Sequence, residues 1–142
     1  HANYIKMLLT ALSRGAPAPS GKVMSLADWV ALQDEQARCI RAWQRLFRSY
    51  DAVIAPVFGA TAFPHDDAPT DARVLMLDGE ATPFGVQFAY AGLATFPNLP
   101  ATSVPVATGS DGLPIGLQVI CDLHQDHKAI EIARTAHALM RS

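Results

Sequence analysis

The sequence predicts an α/β fold in which helices flank part of a mixed β-sheet. Three segments carry apolar residues at helical spacing, and four short apolar runs have the length of strands. The two kinds of segment alternate along the chain, which favours a layered arrangement. Half of the 142 residues are hydrophobic, enough for a core, so an intrinsically disordered chain is excluded. We expect one domain over residues 1–142.

The three predicted helices span residues 3–12, 25–49 and 126–140. Ser25 is expected to cap the second helix, with Asp28 completing a capping-box-like start, and Asp126 is expected to cap the third. The second helix is predicted to bury an apolar stripe of Leu26, Val30, Ala37, Ile40, Trp43 and Phe47. The third helix is predicted to bury Ala129, Ile130, Ala133, Ala136, Leu139 and Met140.

The four predicted strands lie near residues 52–55, 73–77, 101–107 and 115–121. The first is predicted to be buried between helical layers. Asp111 and Gly112 predict a hairpin between the last two strands, and Pro105 requires an edge or a bulge there. Residues 57–71 are predicted to form a long loop. After a turn at Asp78 and Gly79, Pro83 is expected to open a short helix over residues 84–93.

Charge and cysteine content narrow the functional classes. The formal net charge of −2 disfavours a protein that binds nucleic acid or anionic membranes through bulk charge. The sequence has neither a run of about 18 apolar residues nor a signal-peptide pattern at its start. Two distant cysteines, Cys39 and Cys121, fit a reducing compartment better than a disulfide framework. We therefore expect a cytoplasmic protein.

The residues themselves offer no complete active site. No serine lies in a Gly-x-Ser-x-Gly or Ser-x-x-Lys pattern, so no catalytic residue is assigned, and both cysteines are interpreted as buried structural thiols. Asp122, His124 and His127 could bind Zn²⁺, but their position at a helix start favours helix capping. No metal or cofactor is expected, although a small metal-binding domain stays an alternative. Four arginines are interpreted as a solvated helix face: Arg38, Arg41, Arg45 and Arg48.

Residues 99–118 (LPATSVPVATGSDGLPIGLQ) resemble the C-terminal segment of the amidase signature family. The resemblance is carried by LPA at 99–101, by Pro105 and by GLPIGLQ at 112–118. Upstream, YDAVIAP at residues 50–56 and AFPHD at 62–66 are similar to a strand and loop of the same family. Asn98 departs from the pattern, because glycine is more common there, and we expect the turn before the strand to differ.

The resemblance implies a C-terminal part of a hydrolase that cleaves amide C–N bonds. Members of the family use two serines and a lysine, which would lie upstream of this chain, so the chain alone is expected to be inactive. Its expected partners are the upstream part of the amidase or a second copy, and the complete enzyme would act on a small amide. The alternative is a non-catalytic, amidase-derived interaction module. Four residues are candidates for lining the substrate funnel: Phe58, Phe63, His65 and Phe96.

Overall fold

A computed structural model describes residues 25–140, and the helix predicted over residues 3–12 lies outside them. In this part of the chain, helices and strands alternate as predicted. The elements, in chain order, are α1 (Leu26–Leu46), β1 (Val53–Pro56), β2 (Val74–Leu77), β3 (Glu80–Pro83), a 3-10 helix (Phe84–Gln87), α2 (Phe88–Thr95), β4 (Ala101–Thr108), β5 (Pro114–Ile120) and α3 (Asp126–Met140).

Helix α1 begins as the sequence predicts and ends earlier. The Ser25 hydroxyl accepts a hydrogen bond from the Asp28 N–H at 3.1 Å and donates one to the Asp28 carboxylate at 2.7 Å. The predicted apolar stripe is wrong at its N-terminal end, where Leu26 and Val30 are 79% and 52% exposed. Within α1 the buried residues are Cys39 and Trp43, because the other described elements meet only the C-terminal half of the helix. The four arginines of the predicted solvated face are exposed.

The larger sheet has the strand order β1-β5-β4, and both strand pairs are antiparallel. The predicted hairpin over Asp111 and Gly112 is confirmed, with Gly112 at a φ of 78°. Pro105 lies on an edge strand at a register shift, as a residue without an N–H requires. Strand β1 is the other edge, so the expected burial is wrong: its side chains alternate, and Ile54 is 58% exposed.

The two faces of this sheet contribute to two cores. Successive side chains of a strand point to opposite faces, so the fully buried neighbours Val119 and Ile120 belong to different clusters. Ile120 packs with Trp43 of α1 and with residues around α2. Val119 packs with Ala129 and other small residues of α3.

Helix α3 matches its predicted bounds but not all of its predicted contacts. It begins at Asp126 itself, and the Gln125 carbonyl accepts the first bond from the Ala129 N–H at 3.0 Å. Asp126 is therefore the first helical residue and not the cap, although its carboxylate still suits the helix dipole. Ala129 and Ala133 are buried. The predicted core residues Ile130, Leu139 and Met140 are exposed, because the small sheet covers only a narrow strip of the helix.

Helix α2 ends in a Schellman motif built around Asn98. Asn98 has a φ of 58°, the Asn98 N–H donates to Thr95 O, and the Leu99 N–H donates to Ala94 O. Asparagine is one of the few residues that adopts this left-handed backbone readily. Asn98 therefore makes a turn for which glycine is also suited, and it leads Leu99 into the core.

Strand β3 is not among the strands that the sequence predicts. Asp78 and Gly79, with φ values of 51° and 84°, form a two-residue turn between β2 and β3, for which Asp-Gly is typical. Pro83 ends β3 and precedes the 3-10 helix, so its expected place inside a helix is wrong. The predicted short helix consists of this 3-10 turn followed by α2.

Candidate functional site

Two buried glutamines fix the N-terminal end of the long loop, residues 57–71, which has neither helix nor strand. Gln118 of β5 donates from Nε2 to the Pro56 carbonyl at 2.8 Å and to the Tyr90 carbonyl at 2.7 Å. Gln87 accepts the Gly59 N–H at 2.9 Å through Oε1. Since buried polar groups need partners, these bonds tie the loop to β5 and to the 3-10 helix.

Four phenylalanine rings form a cluster under this loop. Phe84, which is buried, is the hub: its ring centroid lies 5.9 Å from that of Phe58, 5.7 Å from Phe63 and 5.4 Å from Phe88. Phe58 and Phe63 also stack at 5.7 Å. Edge-to-face and offset contacts of this kind add to the hydrophobic stabilisation, so the cluster gives the loop a defined path.

A cavity of about 470 Å³ opens between the loop and the β2–β3 hairpin. Its apolar walls include Phe63, Phe84 and Met76, and its charged residues are Arg73 and Asp66, with His65 beside them. A second cavity, of about 580 Å³, lies on the other side of the loop against β4 and β5. Residues 60–62 line both, so the loop is the wall between two concave surfaces.

Three of the four predicted funnel residues lie in this region. Phe58 and Phe63 stack on each other, and Phe63 and His65 line the first cavity. Phe96 lies elsewhere: its side chain packs with the core cluster that contains Trp43, and its carbonyl accepts a hydrogen bond from Gln36 Nε2 at 2.7 Å. The sequence-based prediction missed Phe84 and Arg73. The Asp-Gly turn at residues 78 and 79 could have predicted their proximity, because a hairpin around this turn brings Arg73 and Phe84 together. The Phe84 N–H donates to Arg73 O at 3.0 Å.

Among residues 25–140, the side chain that His65 contacts is a carboxylate and not a nucleophile for it to activate. Its Nε2 lies 2.8 Å from Asp67 Oδ1, and the two side chains are 84% and 93% exposed. A side-chain contact this exposed contributes little to stability. In the described part of the chain, the pair shapes the rim of the cavity and has no attacking group beside it.

The two cysteines are buried thiols that form no disulfide, as predicted. Burial raises the pKa of the Cys121 thiol. A thiol must lose its proton to act as a nucleophile or metal ligand, so this environment favours a packing role. Cys121 lies among small apolar residues with Val119 and Ala129.

Within residues 25–140, no three His, Cys, Asp or Glu side chains are grouped so that they could hold a metal ion. Asp122 Oδ1 accepts the Leu123 N–H at 2.8 Å in the turn before α3, a local role of the kind expected at a helix start. None of the helices in this part of the chain is long and apolar enough to cross a membrane.

The family model for amidases matches residues 6–130. The chain belongs to the amidase family. The match spans the loop, both cavities, both hairpins and the start of α3, so these features are parts of an amidase domain. The resemblance carried by residues 99–118 is thereby confirmed.

Curated relatives of this amidase sequence include enzymes with different names. The chain is 30% identical over 120 residues to indoleacetamide hydrolase of Bradyrhizobium japonicum, and this alignment covers 84% of the chain and 24% of the relative. It is 36% identical over 94 residues to fatty acid amide hydrolase of Medicago truncatula, covering 66% and 15%. A glutamyl-tRNA(Gln) amidotransferase chain of Clostridium botulinum is 32% identical over 91 residues, covering 64% and 17%. The chain therefore spans less than a quarter of these relatives.

Solved structures agree on the fold. A crystal structure of an amidase superimposes with a TM-score of 0.65 at 18% identity, covering 96% of this chain and 32% of that one. A glutamyl-tRNA(Gln) amidotransferase chain from Thermotoga maritima superimposes with a TM-score of 0.64 at 20% identity, covering 92% and 32%. At these identities the likeness establishes the fold, and the α/β class predicted from the sequence is confirmed.

Proposed function

We propose that this chain forms the C-terminal part of an amidase that hydrolyses amide C–N bonds. The serine nucleophile, the bridging serine and the lysine belong to a segment N-terminal to this sequence, and the loop at residues 57–71 borders the substrate funnel. The observation that carries the proposal is the amidase match over residues 6–130 of a chain that spans 15–24% of its curated relatives. We place the protein in the cytoplasm.

The geometry of the loop supports a role in binding rather than in bond cleavage. The Phe58–Phe63–Phe84 contacts and the Gln87–Gly59 hydrogen bond hold the loop between two cavities. Concave surfaces with apolar walls and a few polar groups are typical of small-molecule sites. Amide hydrolysis also needs a nucleophile and a proton acceptor held in hydrogen-bond contact, which the proposal assigns to the upstream segment.

The proposal is tested by joining the chain to its genomic upstream sequence. The joined protein is expected to hydrolyse members of a panel of aryl and aliphatic amides, and the 142-residue chain alone is expected to be inactive. A joined protein in which the upstream serine is replaced by alanine is the control. Turnover by the chain alone that is abolished by Ser103→Ala or Cys121→Ala would overturn the proposal, as would an upstream sequence without the two serines and the lysine.

The N-terminal end of α1 favours a second candidate function, that of a non-catalytic interaction module. Leu26, Trp29 and Val30 are more than half exposed, and clustered apolar surface on a helix is typical of a contact site. The amidase proposal assigns this surface to the upstream segment of the same protein. The module alternative assigns it to a second copy of the chain.

Light scattering on the purified chain distinguishes whether this surface binds a second copy of the chain or the upstream segment. Self-association that is lost in Trp29→Glu, retained in Gln44→Glu further along α1, and unchanged when the separately expressed upstream segment is added supports the module. A monomeric chain that binds the separately expressed upstream segment, with the same dependence on Trp29, supports the amidase.

A further inference from the structure

Arg73 enters the first cavity in a fixed orientation. Its backbone carbonyl accepts the Phe84 N–H at 3.0 Å, which places it at the base of the β2–β3 hairpin. Its side-chain Nε donates to the Ala68 carbonyl at 2.6 Å. Its guanidinium carbon lies 5.6 Å from the centroid of the Phe84 ring, a cation–π distance. The hairpin therefore fixes the Arg73 backbone, and two side-chain contacts hold its guanidinium against Ala68 and Phe84.

Within the described residues, the two terminal amino groups of Arg73 make no hydrogen bond. Among residues 25–140 the Arg73 side chain makes the Ala68 hydrogen bond and the Phe84 ring contact, and it has no ion pair. A guanidinium carries its donors in a planar fork that matches a carboxylate. Because the guanidinium is already oriented, binding a carboxylate would cost little side-chain conformational entropy.

The other ionisable side chains that line this cavity, Asp66 and His65, have partners other than Arg73. Asp66 Oδ1 accepts the Ala68 N–H at 2.9 Å, and no ion pair within 4.0 Å joins Asp66 to Arg73. His65 is paired with Asp67. Arg73 is thus a cation without a contacting counter-ion in the described part of the chain, although the Asp66 charge opposes an incoming anion.

The walls around Arg73 are apolar. Phe63, Phe84, Leu75 and Met76 line the cavity, and its volume of about 470 Å³ falls within the range of roughly 300–1,000 Å³ for small-molecule sites. We propose that this cavity binds a carboxylate carried on an apolar or aromatic body, with Arg73 as the anion receptor. That this ligand is part of an amidase substrate rests on the proposed function, whereas the binding itself does not.

The test uses the 142-residue chain and three probes: phenylacetate, its neutral analogue phenylacetamide, and acetate. By calorimetry or NMR titration, phenylacetate is expected to bind most tightly, because it alone offers both the charge and the ring. Arg73→Gln should raise the Kd for phenylacetate by about tenfold or more and change the Kd for phenylacetamide by less than about twofold. Arg73→Lys, which keeps the charge without the fork, should be intermediate.

Two further variants sharpen the test. Asp66→Asn keeps an acceptor for the Ala68 N–H and removes the opposing charge, so it should tighten phenylacetate binding. Arg45→Gln, at an exposed position on α1, removes a positive charge outside the cavity and should leave the affinity unchanged.

Phenylacetate binding that is absent, equal to that of phenylacetamide, or unchanged in a folded Arg73→Gln variant would overturn the proposal. If Arg73→Gln does not fold, the comparison of the two probes in the unaltered chain and in Arg73→Lys decides. Hydrolysis of amides by the joined protein is a separate readout. If phenylacetate binds but the joined protein does not hydrolyse amides, the proposed function alone is refuted. If the joined protein hydrolyses amides but phenylacetate does not bind, the anion site alone is refuted.

Discussion

The two hairpins of this chain share a turn signal and differ in what surrounds them. Both turns contain Asp followed by Gly, with Gly79 and Gly112 in the left-handed region. The β4–β5 hairpin has α3 on one face, and its last residues, 118–120, are buried. The β2–β3 hairpin has strands of four residues, and Val74 and Met76 are 55% and 66% exposed.

This difference indicates a division of labour. The β4–β5 hairpin builds the core, where stability comes from excluding water around Val119 and Ile120. The β2–β3 hairpin forms one wall of the first cavity and positions Arg73 against Phe84. A single local motif can therefore either build a core or form the wall of a cavity, and its surroundings decide which.

The largest effect is expected from removing matched methyl groups in the two hairpins. Val119→Ala, at a fully buried site, should lower the free energy of unfolding by about 2 to 3 kcal/mol, because it removes buried surface and leaves a cavity. Val74→Ala, at a half-exposed site, should cost about 0.5 kcal/mol or less. Urea denaturation measures both. Equal losses would contradict the division between the hairpins.

Replacing the glutamine that joins β5 to the start of the long loop should have the next largest effect. Gln118→Leu introduces an apolar side chain of similar size and removes the donor to the Pro56 and Tyr90 carbonyls. The expected loss is about 1 to 2 kcal/mol, because buried polar groups lose their partner. Gln44→Leu, on the exposed side of α1, is the matched control and should be close to neutral. A neutral Gln118→Leu would show that these bonds do not anchor the loop.

A methyl group at Gly59 should loosen the loop without reaching the core. A Cβ there would collide with Gln87 Oε1, so Gly59→Ala is expected to break the Gly59–Gln87 hydrogen bond at a cost of about 1 kcal/mol. Gly85→Ala meets no heavy atom within 4 Å and is the control. Hydrogen exchange should rise over residues 57–71 in Gly59→Ala and stay unchanged in β5. Faster exchange in β5 would mean that the loop and the core open together.

The smallest effect is a pH dependence at the surface of the core region. Lys128 Nζ lies 2.6 Å from Asp51 Oδ1, and this contact lowers the pKa of Asp51 and raises that of Lys128. The stabilisation is therefore present above the ordinary carboxyl range, and it is lost as the pH falls through the lowered pKa of Asp51. Asp51→Asn should reduce stability slightly at pH 7 and not at pH 2, as measured by urea midpoints. Asp71→Asn, an exposed control, should lack this difference.

The sequence by itself determined most of the elements, though not β3, and the family. Apolar periodicity located α1, α3 and the strands near residues 52–55, 73–77, 101–107 and 115–121, because local spacing selects helix or strand before any tertiary contact forms. The motifs between residues 99 and 118 identified the amidase family. The Ser25 cap, the break at Pro105 and the turn at Asp111 and Gly112 followed from the chemistry of single residues.

Tertiary structure decided which apolar residues are buried and which side chains meet. Leu26, Ile54 and Leu139 fit the expected buried positions by spacing and are exposed, because burial depends on whether another element covers the surface. Phe96 is predicted to line the funnel in the same way as Phe58 and Phe63, but its side chain packs against the core. Arg73 and Phe84 are separated by a turn and two short strands, and the register of the β2–β3 hairpin brings them together. The apolar spacing within a single strand does not specify which residues of two strands pair.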